Sequence, residues 1–183
     1  PTAIFSKSLI CFSKMLVLRS RFLLPLTTGA LYSIVAKVLR KKSWANNSFW
    51  IKMRAKKESK NFFIKKFDST GVKVWTTQLG TSGKYTNPKE LALDNIGNIY
   101  IGGYTNGSLD GNTLTGSFDF FLTKYTTSGA KVSTSQMGVI SKLTQAFSLT
   151  TDSNNYVYIG GRTDGDFDGH TLSGTSDLFI KKY

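Results

Sequence analysis

The chain has 183 residues and a formal net charge of +13, from 24 Lys and Arg against 11 Asp and Glu. The lone Cys11 excludes an internal disulfide framework, and His170 is the one imidazole available as a catalytic base. Residues 1–60 hold 13 of the basic residues and one acid, whereas residues 61–183 hold 11 and 10, so the charge does not mark the whole molecule as a nucleic-acid binder.

Residues 1–60 read as a basic, partly hydrophobic leader. Its longest uncharged run, residues 22–36, is short for a membrane span. With Arg19 and Arg21 ahead of it, the run resembles a secretory signal core. Lys37, Arg40, Lys41 and Lys42 follow at once, and a small-x-small cleavage site is missing. The leader is therefore disordered, signal- or anchor-like, or non-native. Its Lys and Arg, with Trp44, Phe49 and Trp50 interleaved, suit nucleic acid or an anionic membrane if it binds anything. A chain opening on Pro1 is expected to be a fragment of a larger protein.

Residues 61–183 are organised by repetition. The segment 99–125 returns 58 residues later as 157–183, with 15 of 27 positions identical. A partial third copy, 62–67, lies 58 residues before 120–125. A fixed period is the signature of a repeat architecture. Within one unit, apolar or β-branched runs at 91–93, 99–105, 120–125 and 131–137 are separated by Gly, Asn, Asp and Ser. Such runs predict four strands per repeat. Gly97 is replaced by Asn155 in the next copy, which predicts a left-handed turn position. Gly71 and Gly129 end the next hairpin turn in their copies. Gly102-Gly103 and Gly160-Gly161 inside good strands predict a bulge or a close backbone approach. Phe120, Phe121, Leu122 and Tyr125 barely alternate, which predicts a strand covered on both faces.

The pattern carried by Asp94, Gly97, Asn98, Tyr100, Gly103, Tyr104, Thr105, residues 110–113, Asp119, Phe121, Lys124 and Tyr125 resembles the SBBP-type β-propeller repeat of bacterial proteins. The resemblance implies an all-β fold: a partial β-propeller of four-stranded antiparallel blades, spanning residues 61–183 after the 1–60 leader. It implies no shared catalytic chemistry. Two positions depart between copies: Ser133 stands where the earlier copy has Trp75, and Asn155 where it has Gly97. About nine strands are expected: two, then four, then three. That is too few for a closed ring of 4–8 blades, so the isolated chain is expected to be marginally stable and either to self-associate through open blade faces or to unfold.

Chemistry is sparse. His170 has Asn112 as its counterpart, as expected of a loop residue. Asp110, Asp119, Asp168 and Asp177 flank Gly-rich turns, where Asp commonly caps backbone. No catalytic or cofactor-binding residue is assigned. One weak metal candidate exists: Asp164, Asp166 and Asp168 alternate before a Gly like the opening of a calcium loop, but Thr175 stands where a bidentate Glu is needed. The expected function is a non-catalytic binding or scaffolding module for a protein or glycan ligand, from a cell-envelope or secreted protein. The alternative is a fragment of a propeller enzyme whose active site lies in other blades.

Overall fold

In a computed structural model of the chain, residues 39–41, 49–55 and 61–183 are described. All their regular structure is β. The strands are β1 (Leu39–Lys41), β2 (Phe49–Ala55), β3 (Phe62–Phe67), β4 (Lys73–Leu79), β5 (Thr86–Leu93), β6 (Ile99–Thr105), β7 (Asp119–Tyr125), β8 (Lys131–Met137), β9 (Thr144–Thr151), β10 (Val157–Thr163) and β11 (Asp177–Lys182). They form three antiparallel meanders: β1-β2-β3-β4, β5-β6-β7-β8 and β9-β10-β11. Beyond residue 60 the strands fall two, four and three to a sheet, as the repeat predicts.

The first sheet corrects the division at residue 60. β2 pairs with β3 from Trp50↔Phe67 to Ala55↔Phe62, and β1 pairs with β2. Two strands from the basic leader thus join the first sheet. The sequence of β2, Phe-Trp-Ile-Lys-Met-Arg-Ala, does alternate in its second half; its basic residues drew it into the leader. The 22–36 run, Cys11, and most of the basic residues expected to meet nucleic acid or membrane lie outside the described residues.

The sheets stack face to face. Phe62, Ile64 and Leu79 of the first sheet pack with Leu91, Ile99, Ile101, Phe121 and Tyr125 of the second. Ala92, Tyr100, Phe120 and Leu122, from the second sheet's other face, pack with Ala146, Leu149, Val157, Ile159 and Phe167. The middle sheet is therefore covered on both sides, which is why β7 does not alternate. Each fully buried aliphatic or aromatic side chain contributes about 1.5–3 kcal/mol, so these two seams hold the stack together.

The recurrent glycines have one cause. β5 bulges between Pro88 and Glu90, and β9 between Ala146 and Ser148. The bulged backbone leans on the neighbouring strand, and a Cβ on Gly103 or Gly161 would strike the carbonyl of Asn87 or Gln145.

Each outer sheet turns one set of apolar residues toward the second sheet. Phe62 is buried against the second sheet, and Phe179 packs on Phe120 at 5.3 Å. Leu178 and Ile180 are the open residues, 88% and 82% exposed.

Candidate functional site

The polar loop after β6 and its copy after β10 are built alike. Thr105 Oγ1 accepts from the Gly107 amide at 3.0 Å, and Thr163 Oγ1 from the Gly165 amide at 3.3 Å. Leu109 and Phe167 turn inward and are buried. Asp110-Gly111 and Asp168-Gly169 then reverse the chain at positive φ.

The three alternating carboxylates of the second copy do not converge. Asp164 Oδ1 accepts from the Leu143 amide, Asp166 Oδ1 from the Leu172 amide at 2.8 Å, and Asp168 Oδ2 pairs with Lys181 Nζ at 2.8 Å. Each holds its own stretch of chain. No group of three or more His, Cys, Asp or Glu among the described residues could hold a metal ion. The calcium-like opening is thus spelled in sequence without being assembled in space. His170 is exposed in a tight turn whose backbone exchanges two hydrogen bonds of 3.0 Å with Phe167. Asp168, His170, Asp177 and Phe179 line a shallow cleft of about 270 Å³ beside β11.

The structural Asp residues are similarly occupied. The buried Asp119 accepts from the amides of Thr115 (2.8 Å) and Gly116 (2.7 Å) and from Gln136 Nε2 (3.0 Å). Its copy Asp177 is held below the usual carboxylate range by the Ser173 amide and then the Ser173 hydroxyl. These carboxylates cap loops, and that accounts for their recurrence without acid–base chemistry.

The two departures between copies meet at one place. Ser133 and Asn155 both line a cleft of about 220 Å³ between the second and third sheets, with Tyr100, Lys124, Val157 and Tyr183. Burial, and then the charge of Asp168, pushes the Tyr183 phenol up to about 12.

The most distinctive surface is one that sequence reading missed. Tyr85, Tyr104, Phe118 and Phe147 form an aromatic cluster across the seam between the second and third sheets. Tyr104 lies 6.1 Å from Tyr85, 5.6 Å from Phe118 and 6.1 Å from Phe147. Lys89 Nζ sits 5.1 Å from the Tyr104 ring centre and 6.0 Å from that of Phe147. Asn87 Nδ2 donates to the Tyr104 hydroxyl at 2.9 Å. Burial, with Tyr104 alongside, pushes the Tyr85 phenol above its usual range. Phe147 is 43% exposed, while Tyr85, Tyr104 and Phe118 are half-buried. Lys89 and Phe147 occupy the same bulge position in successive repeats, 58 residues apart. That equivalence was the available signal: one position, carrying an ammonium in one repeat and a phenyl in the next.

Antiparallel meanders of up to four strands, stacked on a 58-residue period, are the blades of a β-propeller. Residues 74–110 and 134–168 each match the SBBP family, described as a beta-propeller repeat. No protein of curated function matches it.

Proposed function

We propose that this chain is a non-catalytic binding module of a bacterial cell-envelope or secreted protein, in which the propeller sheets hold the aromatic–lysine surface in place. The observation that carries the reading is Lys89 poised over Tyr104 and Phe147 at the sheet seam. The ligand it fits is a glycan bearing carboxylates. Sugar C–H faces stack on aromatic rings such as the exposed Phe147, and an acid group pairs with Lys89. His170 in an exposed turn, and carboxylates committed to backbone amides, support a role without acid–base chemistry.

The reading is tested by titrating the chain with oligogalacturonate and with a neutral oligosaccharide of equal length. Binding of the acidic chain alone is expected, with at least a tenfold loss on Phe147→Ala and on Lys89→Ala. Equal affinity for both saccharides, or indifference to both substitutions, removes the proposal. No saccharide binding at all removes it as well.

A further inference from the structure

Asn106 is the one Asn in the chain that precedes a Gly. Such a pair is chemically labile, because no side chain on Gly shields its nitrogen from the Asn Cγ. The structure makes both members of the pair obligatory. Gly107 is buried, and a Cβ on it would lie 2.7 Å from Lys84 Cβ and 2.9 Å from Thr81 Cβ. The residue at 106 has to present a side-chain oxygen. Asn106 Oδ1 accepts from the Tyr85 amide at 2.6 Å, while the Asn106 amide donates to the Tyr85 carbonyl at 3.0 Å. The next repeat meets the same demands 58 residues on. A Cβ on Gly165 would lie 2.7 Å from Lys142 Cγ. The residue before it donates its amide to the Leu143 carbonyl at 3.1 Å and accepts the Leu143 amide on a side-chain oxygen. There that residue is Asp164, so the repeat itself shows the exchange this position accepts: Asn for Asp.

We propose that Asn106 is a site of spontaneous deamidation, held shut by the fold and released when its loop opens, and that the Asp product refolds in place. The Gly107 nitrogen attacks the Asn106 Cγ. A new N–Cγ bond forms, the Cγ–Nδ2 bond breaks, and ammonia leaves with the proton of the Gly107 nitrogen. Water then opens the cyclic imide, its hydroxyl going to the carbonyl carbon and its proton to the nitrogen. The sum is amide plus water to acid plus ammonia. Opening at Cγ gives Asp; opening at the backbone carbonyl gives isoaspartate. In the folded chain the reacting groups are committed elsewhere. The Gly107 amide donates to Thr105 Oγ1 at 3.0 Å, and the Asn106 side chain and backbone are both tied to Tyr85. Turning the Gly107 nitrogen onto Cγ breaks these bonds together, so the rate follows the fraction of chains in which the loop is open. Asp fits the refolded loop, since beside Asp164 the Gly165 amide still donates to Thr163 Oγ1, at 3.3 Å. Isoaspartate adds a backbone atom and breaks that frame. The product carries one new negative charge in the loop after β6. The proposal does not rest on the glycan reading.

The test compares the full wild-type chain folded in buffer with the same chain unfolded in guanidinium, at one mildly alkaline pH. Peptide mapping by mass spectrometry reads the acid formed at Asn106 against that at Asn95, Asn98 and Asn112, which precede Ile96, Ile99 and Thr113. In the unfolded chain Asn106 is expected to convert first of these residues. In the folded chain its conversion is expected to be slower by about tenfold or more. Asn106→Asp is expected to melt with the wild type. Asn106→Ala, which leaves the Tyr85 amide without its acceptor, is expected to melt several degrees lower. Equal rates in the folded and unfolded chains overturn the proposal, because the fold would then not hold the site shut. So does an unfolded chain in which Asn106 reacts no faster than the other Asn residues. An Asn106→Asp chain that does not fold, or that melts as low as Asn106→Ala, overturns it too, because the product would then not fit the loop.

Discussion

Four hairpin turns among the described residues share one hydrogen-bonding frame. The first residue, Asp68, Asp94, Thr126 or Asp152, donates its amide to the carbonyl four residues on. The fourth residue, Gly71, Gly97, Gly129 or Asn155, returns its amide to the first residue's carbonyl. That fourth residue sits at φ 90°, 88°, 87° and 67° respectively, a region where Gly is free and Asn is the best substitute. The first residue's side chain completes the turn: Asp68 Oδ1 accepts from the Thr70 amide (2.9 Å) and hydroxyl (2.7 Å) and the Val72 amide (3.0 Å). The Thr70 hydroxyl, followed by those amides, holds the Asp68 carboxyl below its usual range. Gly129 carries a second constraint. A Cβ there would lie 2.7 Å from a Trp75 ring carbon, whereas one on Gly71 would meet nothing within 4 Å. Trp75 is held over the turn by Nε1 donating to the Thr127 carbonyl at 3.2 Å. Gly71→Ala should therefore cost only the left-handed backbone term, about 1–2 kcal/mol. Gly129→Ala should cost that plus the displaced indole, about 2–4 kcal/mol in all. Urea denaturation of both variants decides, and equal losses would mean that Trp75 has no fixed seat. A second residue-scale test concerns Tyr125. Burial, followed by the Asp110 charge, pushes its phenol from 10.0 to about 12. The folded state then binds more protons than the unfolded one between those two values. The neutral phenol's contribution is complete below pH 10 and is lost as pH rises toward 12. Thermal melts should fall across that window, and Tyr125→Phe should flatten the fall. An unchanged slope in the variant would assign the alkaline loss to other groups.

At the scale of strands, equivalent positions differ in energy because their neighbours differ. Phe121 is fully buried and stacks on Phe62, while its repeat partner Phe179 is half-buried against Phe120 and Phe167. Phe121→Ala should cost about 3–5 kcal/mol, and Phe179→Ala about half as much, since a partly wetted site leaves less cavity. Equal losses in chemical denaturation would show that the third sheet is packed as tightly as the second. The sequence alone would have predicted equality, because repetition records position and not coverage. What it did make legible were features set locally: the Asn-for-Gly exchange at the turns, the paired glycines over the bulges, and the unalternating β7. β1 and β2 were not legible, because their basic residues resemble a solvated leader and only pairing with β3 draws them into a sheet. The aromatic cluster was also hidden. Its four rings come from residues 85 to 147, in separate elements, and no spacing along the chain brings them together. The acid loop misled in the opposite sense, since alternation in sequence placed its carboxylates on three different partners.

For the whole molecule, the stack implies a gradient of stability across its sheets. The second sheet has an apolar neighbour on each face, and its interior strands β6 and β7 are hydrogen-bonded on both edges. Among the described residues the third sheet has a neighbour on one face, and β11 is paired along one edge, to β10. Opening a backbone hydrogen bond in β7 requires separating two cores. Opening one in β11 exposes little that is not already wet, given Leu178 and Ile180 at the surface. Local opening free energies should therefore descend from the global value in β6 and β7 to a small fraction of it in β11. Native-state hydrogen exchange read strand by strand on this 183-residue chain provides the measurement. The β7 amides should exchange slowest and the β11 amides facing away from β10 fastest. If β11 is as protected as β7, its outer edge is covered by another segment.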